Sequence, residues 1–423
     1  MAVHPFMPVL YDNRTDFTTL SVLQPAIPYL MQCDGLAWSV GVYGWFDTMR
    51  IHIPRVHPAA AYWFLEQTLG RMTKLRLYGA TLWEGLVWEV SALLPGCTLT
   101  RSLADMANKV YVEYSLDETS ANSVSSASED TTLQGIYGIK EYYVAGGTRG
   151  STDAGYLAAR YLASHKYPPT IRSMTDRARG LAEVTIDCKG YYNTLAWKYY
   201  TSTATGTQAT GTTLSDINTS CGAFIASTNL AATGRTAAKR FAQRQTAWEQ
   251  MLSLIALGTS NDLRYFLGVK AGRVLTGWEE PTTLSYIKYP QLPGQYFDAT
   301  GNFPLQFWQV EPGKWVRAQL SVSDNLPVSD ENPRAMLIGS CEYDAVARTV
   351  KPNYNIRTPT VSSATASAGQ EFNPFERPWT TFEWYKQGYR TFYYKGQWIT
   401  QYRRGWEEYG THKDDPWQGT KTW

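Results

Sequence analysis

Short segments that alternate apolar with polar residues recur along this chain, and they constrain its fold more than any other feature. In KVYVEYS (109–115), the side chains of Val110, Val112 and Tyr114 fall on one side of an extended chain, and Lys109 and Glu113 fall on the other. A period of two residues is typical of half-buried β-strands. Further strands are predicted at 36–53 as a hairpin, 74–80, 83–93, 138–144, 181–188, 195–200, 264–269, 273–281, 315–320 and 335–338.

Only three segments have the period of an amphipathic helix. The first is 58–69, which Pro58 opens, and the second begins at about residue 152 and ends before Pro168. The third is 247–257, where Thr246 and Glu249 have the spacing of a capping box. The sequence therefore predicts a mainly β protein with a few short helices, of the α+β class.

Polar, low-complexity segments separate these elements. The serine-rich stretch 116–133 predicts a long loop or an inserted excursion, 201–215 a flexible connection and 361–369 a linker. A chain of 423 residues exceeds what one hydrophobic core usually organises, so we expect several domains.

The composition favours a protein that contacts other molecules through aromatic side chains. Aromatic residues make up 14% of the chain, whereas charged residues make up 18% against about 25% in typical domains. Tyrosine and tryptophan are enriched at interfaces, so a subunit of an assembly and a carbohydrate-binding protein both fit. The net charge of +2 predicts neither a nucleic-acid partner nor an anionic membrane. Without a leader pattern or a long apolar run, we expect a soluble chain made in the cytoplasm.

Motifs for catalysis are not evident in the sequence. The five histidines have no close metal-ligand spacing, and the five cysteines form no CxxC pair, so most cysteines are expected to be small buried residues. The glycine-rich stretch 146–150 could hold an anion at a helix N-terminus, but it lacks the following lysine and a tight turn is favoured. Adjacent acidic pairs such as Glu279–Glu280 do not show the fixed separation of a glycosidase. We predict no catalytic, cofactor-binding or metal-binding residues, and no enzyme.

The segment 384–406, WYKQGYRTFYYKGQWITQYRRGW, is the most unusual part of the chain. Lys395 and Gly396 can turn a hairpin whose arms are rich in rings and arginines. Such arms could pack on their own domain, anchor a neighbouring subunit, or stack on sugars; single-stranded nucleic acid is less favoured because the chain is nearly neutral. The candidate interface residues are Tyr389, Arg390, Phe392, Tyr394, Trp398, Tyr402, Arg403, Arg404 and Trp406.

Several longer segments together resemble a known family. The run TLWEGLVWEVSALLPGCTLTRSLADMANKVYVEYS (81–115) is similar to a strand, turn and strand of bacteriophage tail hub proteins. The segments 137–169, 181–200 and 246–281 resemble the next elements of those proteins, in the same order. The resemblance extends over residues 36–290, to the family of tail hub and baseplate hub proteins.

The resemblance implies tail-tube-like β-sandwich or barrel domains with an inserted α/β segment. The segment 372–423 matches nothing in that family. The predicted division is 1–35 as an N-terminal extension, 36–115 with 181–205 as a tail-tube-like β domain, 116–180 as an inserted loop and α/β segment, 206–356 as a second α+β domain for which a tube-like fold stays open, 357–371 as a linker and 372–423 as an aromatic C-terminal arm.

The resemblance also implies a structural virion protein. Its copies would form a ring, with three subunits continuing a sixfold tail tube, that joins the tube to the central spike or fibre. The implied partners are other copies of the chain, a tail tube or distal tail protein, and a tail spike or fibre protein, at the virion tail tip after assembly in the host cytoplasm; no cofactor is implied. Two alternatives stay open: a distal tail or other virion subunit of different symmetry, and a carbohydrate-binding or glycan-degrading surface protein.

Overall fold

The computed structural model describes residues 5–116, 122–176, 180–239, 241–289, 291–319, 335–354 and 356, and the backbone of four strands within 389–422. The chain divides into two compact units, Met1–Ser362 and Ser363–Trp423, each of which is described by itself.

The described residues of the first unit form twenty-five strands. In chain order they are β1 (Phe6–Leu10), β2 (Gly35–Gly41), β3 (Tyr43–Val56), β4 (Met72–Leu77), β5 (Ala80–Leu94), β6 (Cys97–Ser102), β7 (Lys109–Ser115), β8 (Ser123–Val124), β9 (Ser128–Glu129), β10 (Glu141–Thr148), β11 (Thr170–Met174), β12 (Ala182–Gly190), β13 (Tyr199–Ser202), β14 (Thr207–Ala209), β15 (Ser227–Leu230), β16 (Thr236–Ala238), β17 (Phe241–Thr246), β18 (Tyr265–Lys270), β19 (Val274–Glu279), β20 (Leu284–Lys288), β21 (Phe297–Asp298), β22 (Trp315–Ala318), β23 (Ala335–Leu337), β24 (Ser340–Asp344) and β25 (Thr349–Asn353).

The helices of this unit are short. They are α1 (Ile27–Leu30), α2 (Pro58–Gln67), α3 (Thr131–Tyr137), α4 (Ser151–His165), α5 (Thr210–Cys221) and α6 (Ala247–Ile255), with 3-10 helices at Gln24–Ala26, Tyr191–Trp197 and Phe307–Gln309. The prediction of a mainly β chain with a few short helices is confirmed, as are the three predicted helices, which are α2, α4 and α6. The capping box of α6 is formed: Thr246 N–H donates to Glu249 Oε2 at 2.9 Å, and Glu249 N–H donates to Thr246 Oγ1 at 3.3 Å.

Three local predictions are wrong in part. Of the strand predicted at 195–200, only Tyr199 and Tyr200 lie in a strand, β13; residues 195–197 end the 3-10 helix Tyr191–Trp197, which turns so that Leu195 and Trp197 enter the core. The flexible connection predicted at 201–215 contains β14 and the start of α5, whose buried face includes threonines that carry little apolar signal. The loop predicted at 116–133 contains β8, β9 and the start of α3, which the Asp130 side chain caps by accepting from Leu133 N–H.

The centre of the first unit is an antiparallel run of eight strands in the order β25-β24-β2-β3-β12-β5-β6-β11. Its longest members are β3, with 14 residues, and β5, with 15. The strand β12 lies between them and pairs with both along its length. The chain therefore leaves this sheet after β6, returns to its edge at β11 and then to its middle at β12, and β24 and β25 add two strands from much later in the sequence.

The sheet forks at β5. The first half of β5 pairs with β4, and its second half pairs with β6 on the same side. The change of partner falls where Val87 N–H donates to Arg71 O and Leu103 N–H donates to Trp88 O. The branch formed by β4 and β1 folds over the main sheet, so that the ring of Phe6 lies 5.7 Å from that of Trp38. This arrangement encloses the largest core, which α2 covers against β5 and β12.

The hairpin of β18 and β19 joins the sheet at the start of β3. Gly268 of β18 lies opposite Gly44, and a Cβ atom at position 268 would lie 2.6 Å from Trp45 N, so only glycine fits. Gly190, the last residue of β12, has the same constraint, because a Cβ there would overlap the carbonyl of Phe46.

A buried carboxylate ties this hairpin to the sheet. Glu84 of β5 is fully buried, and its Oε2 lies 3.2 Å from Nζ of Lys74. Its Oε1 accepts a hydrogen bond from the backbone N–H of Arg273, in the turn between β18 and β19, at 2.7 Å. A carboxylate can stay charged inside a protein only with such partners.

We expect Glu84→Ala to lower the free energy of unfolding by about 3–5 kcal/mol, because it leaves the Lys74 ammonium without its counter-ion and the Arg273 N–H without its acceptor. Glu89→Ala, on the solvated face of the same strand, is the matched control and should cost less than about 1 kcal/mol. Urea unfolding of both variants measures the difference; equal losses would contradict this account of Glu84.

The chain between β6 and β11 builds a small α/β layer of its own. Its sheet contains β7, β8, β9 and β10, with β10 parallel to β7, and α4 packs against β7. The glycine-rich stretch 146–150 ends β10 and turns into α4, as the tight-turn interpretation predicts. The side chain of Lys140, the residue before β10, ties this layer to the chain that follows β6: its Nζ donates to the carbonyls of Leu103, at 2.6 Å, and Ala104. Burial lowers the pKa of Lys140 to about 8.

This pKa predicts a pH dependence of stability. Between about pH 8 and pH 10.5 the unfolded chain keeps the Lys140 proton while the folded chain has released it, so the free energy of unfolding should rise with pH in that window. The arginine of the Lys140→Arg variant stays protonated in both the folded and the unfolded chain, so this rise of the free energy of unfolding with pH should vanish. Denaturant midpoints of both proteins across this range test it; parallel pH profiles would contradict the assignment.

The second unit is described by its backbone strands alone. They are β26 (Tyr389–Tyr394), β27 (Gln397–Arg404), β28 (Glu407–Glu408) and β29 (Gln418–Thr422). The strands β26 and β27 are antiparallel with Tyr394 opposite Gln397, which confirms the predicted hairpin. Its turn residues, Lys395 and Gly396, lie outside the described residues, as does the linker predicted at 357–371.

Candidate assembly surface

One face of the eight-stranded sheet is hydrophilic, and we call it the hydrophilic face. Along β12 every second side chain is buried, ending with Ile186 and Cys188, and the residues between them point to solvent. Cross-strand register extends this face over the neighbouring strands. Its side chains include Ser39 on β2; Thr48, Arg50 and His52 on β3; Glu183, Thr185, Asp187 and Lys189 on β12; Glu89 and Ser91 on β5; and Thr98 and Thr100 on β6.

Polar pairs cross the strands of this face. Arg50 Nε lies 2.6 Å from Asp187 Oδ1 on the adjacent strand. His52 Nδ1 lies 2.5 Å from Oδ1 of Asp34, the residue before β2. Positive and negative side chains therefore alternate over the hydrophilic face, which is solvated and has no strong electrostatic field of one sign.

The hydrophilic face contains a depression of about 850 Å³, which is lined mainly by residues of β2, β3 and β24. In it, Asp47 accepts hydrogen bonds from the hydroxyl of Tyr192 at 2.7 Å and from that of Ser39 at 3.3 Å. Burial beside this carboxylate raises the pKa of Tyr192 well above its ordinary value. Two neighbouring hydroxyl groups thus hold the Asp47 carboxylate in place.

The possible metal ligands of the described residues are dispersed, and three of the five cysteines are buried. None of their histidine, cysteine, aspartate and glutamate side chains gather in groups of three that could hold a metal ion. Cys188, Cys221 and Cys341 are buried, and burial raises the pKa of the Cys341 thiol to about 12. Such a thiol stays protonated near neutral pH and is a poor nucleophile.

The sheet ends differently at its two sides. On one side β25 contains Lys351 and Pro352, residues that blunt the edges of sheets. On the other, β11 pairs with β6 alone among the described residues and every one of its five side chains is exposed. Ile171 is 57% exposed and Met174 88%. We call the unpaired side of β11 the open edge.

Sequence reasoning missed the open edge. Because both faces of β11 are exposed, TIRSM has no buried side to produce an alternating pattern, and it is only five residues long. The only local feature of the sequence that fits a strand here is that TIRSM itself contains no proline, although it directly follows Pro168 and Pro169.

The interface residues predicted in the second unit fall on two paired strands. Tyr389, Arg390, Phe392 and Tyr394 lie on β26, and Trp398, Tyr402, Arg403 and Arg404 on β27, whereas Trp406 lies outside the described residues. The register places Tyr389 opposite Tyr402. Their part in an interface stays a prediction.

Comparisons with known proteins give one similar solved structure to report. No family model matches the chain, and no curated protein matches it. The solved structure is the 43 kDa tail protein of prophage MuSo2 from Shewanella oneidensis, with 8% sequence identity and a TM-score of 0.35; the alignment covers 80% of this chain and 92% of that one. Within the described residues, no helix has the length and apolar character to cross a membrane.

We expect the ion pairs of the hydrophilic face to contribute little stability. Arg50 is 68% exposed, so a double-mutant cycle of Arg50→Ala and Asp187→Ala should give a coupling energy below about 1 kcal/mol. The cycle is measured by urea unfolding of the four proteins. A coupling of about 3 kcal/mol would mean that this face is desolvated in the single chain.

Proposed function

We propose that this chain is a structural protein of a bacteriophage tail, a hub or baseplate subunit whose copies form a ring, without catalytic activity or a cofactor. The observation that supports it is the eight-stranded sheet with its open edge. An unpaired strand offers a row of backbone donors and acceptors to another strand, and natural proteins usually blunt such edges. Here β11 lacks proline within the strand, and beside its one charged residue, Arg172, it has the exposed apolar side chains of Ile171 and Met174.

In this proposal, β11 of one copy pairs with an edge of the next. A head-to-tail contact closes into a ring when its rotation allows, and the resemblance to hub proteins implies three copies. The hydrophilic face then lines the channel, because it is polar, balanced in charge and already solvated. The tube-like β domain would comprise 36–115 with 181–205, the segment 116–180 would be inserted, and 206–356 would form the second domain that supplies β24 and β25.

The ring would join a tail tube or distal tail protein to a central spike or fibre, at the virion tail tip, after assembly in the host cytoplasm. The aromatic strands β26 and β27 are proposed as the contact with a neighbouring subunit, because tyrosine, tryptophan and arginine are the usual anchors of interfaces. A distal tail protein of different symmetry is the other candidate that an open edge fits, and the number of copies in the ring separates the two.

The test uses the open edge. Native mass spectrometry and negative-stain images of the full chain at high concentration should show rings of three copies. Met174→Lys adds a second positive charge to the edge strand, next to Arg172 on the same side, and should shift the protein to single copies. Met31→Lys is the matched control, since Met31 is 70% exposed on a turn elsewhere, and it should assemble like the parent. Single copies of the parent, or rings that Met174→Lys leaves intact, would overturn the proposal; rings of six would favour the distal tail protein.

A further inference from the structure

Two residues in unfavourable backbone conformations meet at one groove. Six described residues other than glycine have a positive φ, and Tyr78, at +48°, and Arg348, at +54°, both line a groove of about 380 Å³. A positive φ costs free energy for residues with a side chain and is found disproportionately at binding sites. The groove lies beside β1, whose Phe6 forms part of its wall.

Tyr78 occupies a position that suits a different residue. With Gly79 it forms the two-residue turn between β4 and β5, and both have a positive φ, which is the type I′ turn that favours Asn-Gly. The tyrosine side chain is 88% exposed. The exposed ring of Tyr78 is therefore open to contact with another molecule.

Arg348 provides the charge of the groove. It lies in the turn between β24 and β25, and it is the only charged residue among the described residues that line the groove. The other polar side chains of the lining are the amides of Gln295 and Gln306 and the hydroxyls of the two tyrosines, Tyr78 and Tyr296. The groove therefore fits a ligand that carries a negative charge and further hydrogen-bonding groups.

Aromatic rings form the rest of the groove. Phe307 and Trp308 lie on a 3-10 helix whose first turn is fixed by a reciprocal capping box of Gln306 and Gln309. Their ring centroids are 5.1 Å apart, and the ring of Phe6 lies 5.5 and 5.4 Å from them. Phe307 and Trp308 meet edge to face, at 83°, and both are half-buried, so the groove offers preorganised ring surfaces in two orientations.

We propose that this groove binds an acidic oligosaccharide, with the sugar rings stacked on Tyr78, Phe307 and Trp308 and a carboxylate held by Arg348. A saccharide combines apolar C–H faces with hydroxyl groups, and these suit the rings and amides of the lining. The volume falls within the roughly 300–1,000 Å³ of small-ligand sites. A peptide added as a strand is disfavoured, because Pro8 interrupts the donors of the neighbouring edge strand β1.

The experiment measures binding of a galacturonic acid oligomer to the full chain by isothermal titration calorimetry, with a neutral galactose oligomer of equal length as the comparison. The acidic oligomer should bind and the neutral one should bind at least about tenfold more weakly, because it lacks the carboxylate. Arg348→Gln should remove this preference, and Tyr78→Asn should weaken binding about tenfold.

The variants include their own folding controls. Tyr78→Asn gives the turn its preferred residue, so its melting temperature should equal or exceed that of the parent. Arg55→Gln changes another exposed arginine with a positive φ, at +56°, that is not among the groove residues, and should bind like the parent. No binding of the acidic oligomer, equal binding by all variants, or binding of a proline-rich peptide in its place would overturn the proposal. Ring formation is read separately and should not change in any of these variants.

Discussion

The backbone ladder that β12 makes with β3 on one side and β5 on the other is the interaction on which the rest of the first unit depends. It joins two groups of strands, β25-β24-β2-β3 and β5-β6-β11, that would otherwise be separate sheets. The α/β layer between β6 and β11 precedes β12 in the chain, so the partners of this ladder are distant in sequence. Gly190, at the end of β12, is required because the carbonyl of Phe46 occupies the place of a side chain.

Once this sheet exists, its two faces have different roles. The buried face packs under α2 and the folded-over branch of β1 and β4, and the buried Glu84 fixes the hairpin of β18 and β19 to the same body. The opposite, hydrophilic face is solvated, polar and balanced in charge. The proposed ring uses both properties, since a stiff body can present the hydrophilic face to a channel while the open edge of β11 contacts the next copy.

The sequence predicts elements whose signal is local. The alternation of Val110, Val112 and Tyr114, and the capping box of Thr246 and Glu249, predicted β7 and α6 close to their observed bounds. Elements without a one-sided apolar pattern were missed, namely the exposed β11 and the threonine-rich start of α5. The candidate surface has no local signal either, because the open edge depends on which strands pair in the folded chain and the groove on turns that are brought together in space. The aromatic hairpin was predictable because its rings and its two-residue turn are contiguous.

The most direct measurement of the central claim is an electron cryomicroscopy reconstruction of the assembled particle at a resolution that separates β-strands. The account predicts that β11 of each copy has a hydrogen-bonded strand on both sides, one of them from a neighbouring copy, and that Arg50 and Asp187 face the channel. A ring in which β11 faces solvent, or in which the hydrophilic face lies on the outside, would contradict it.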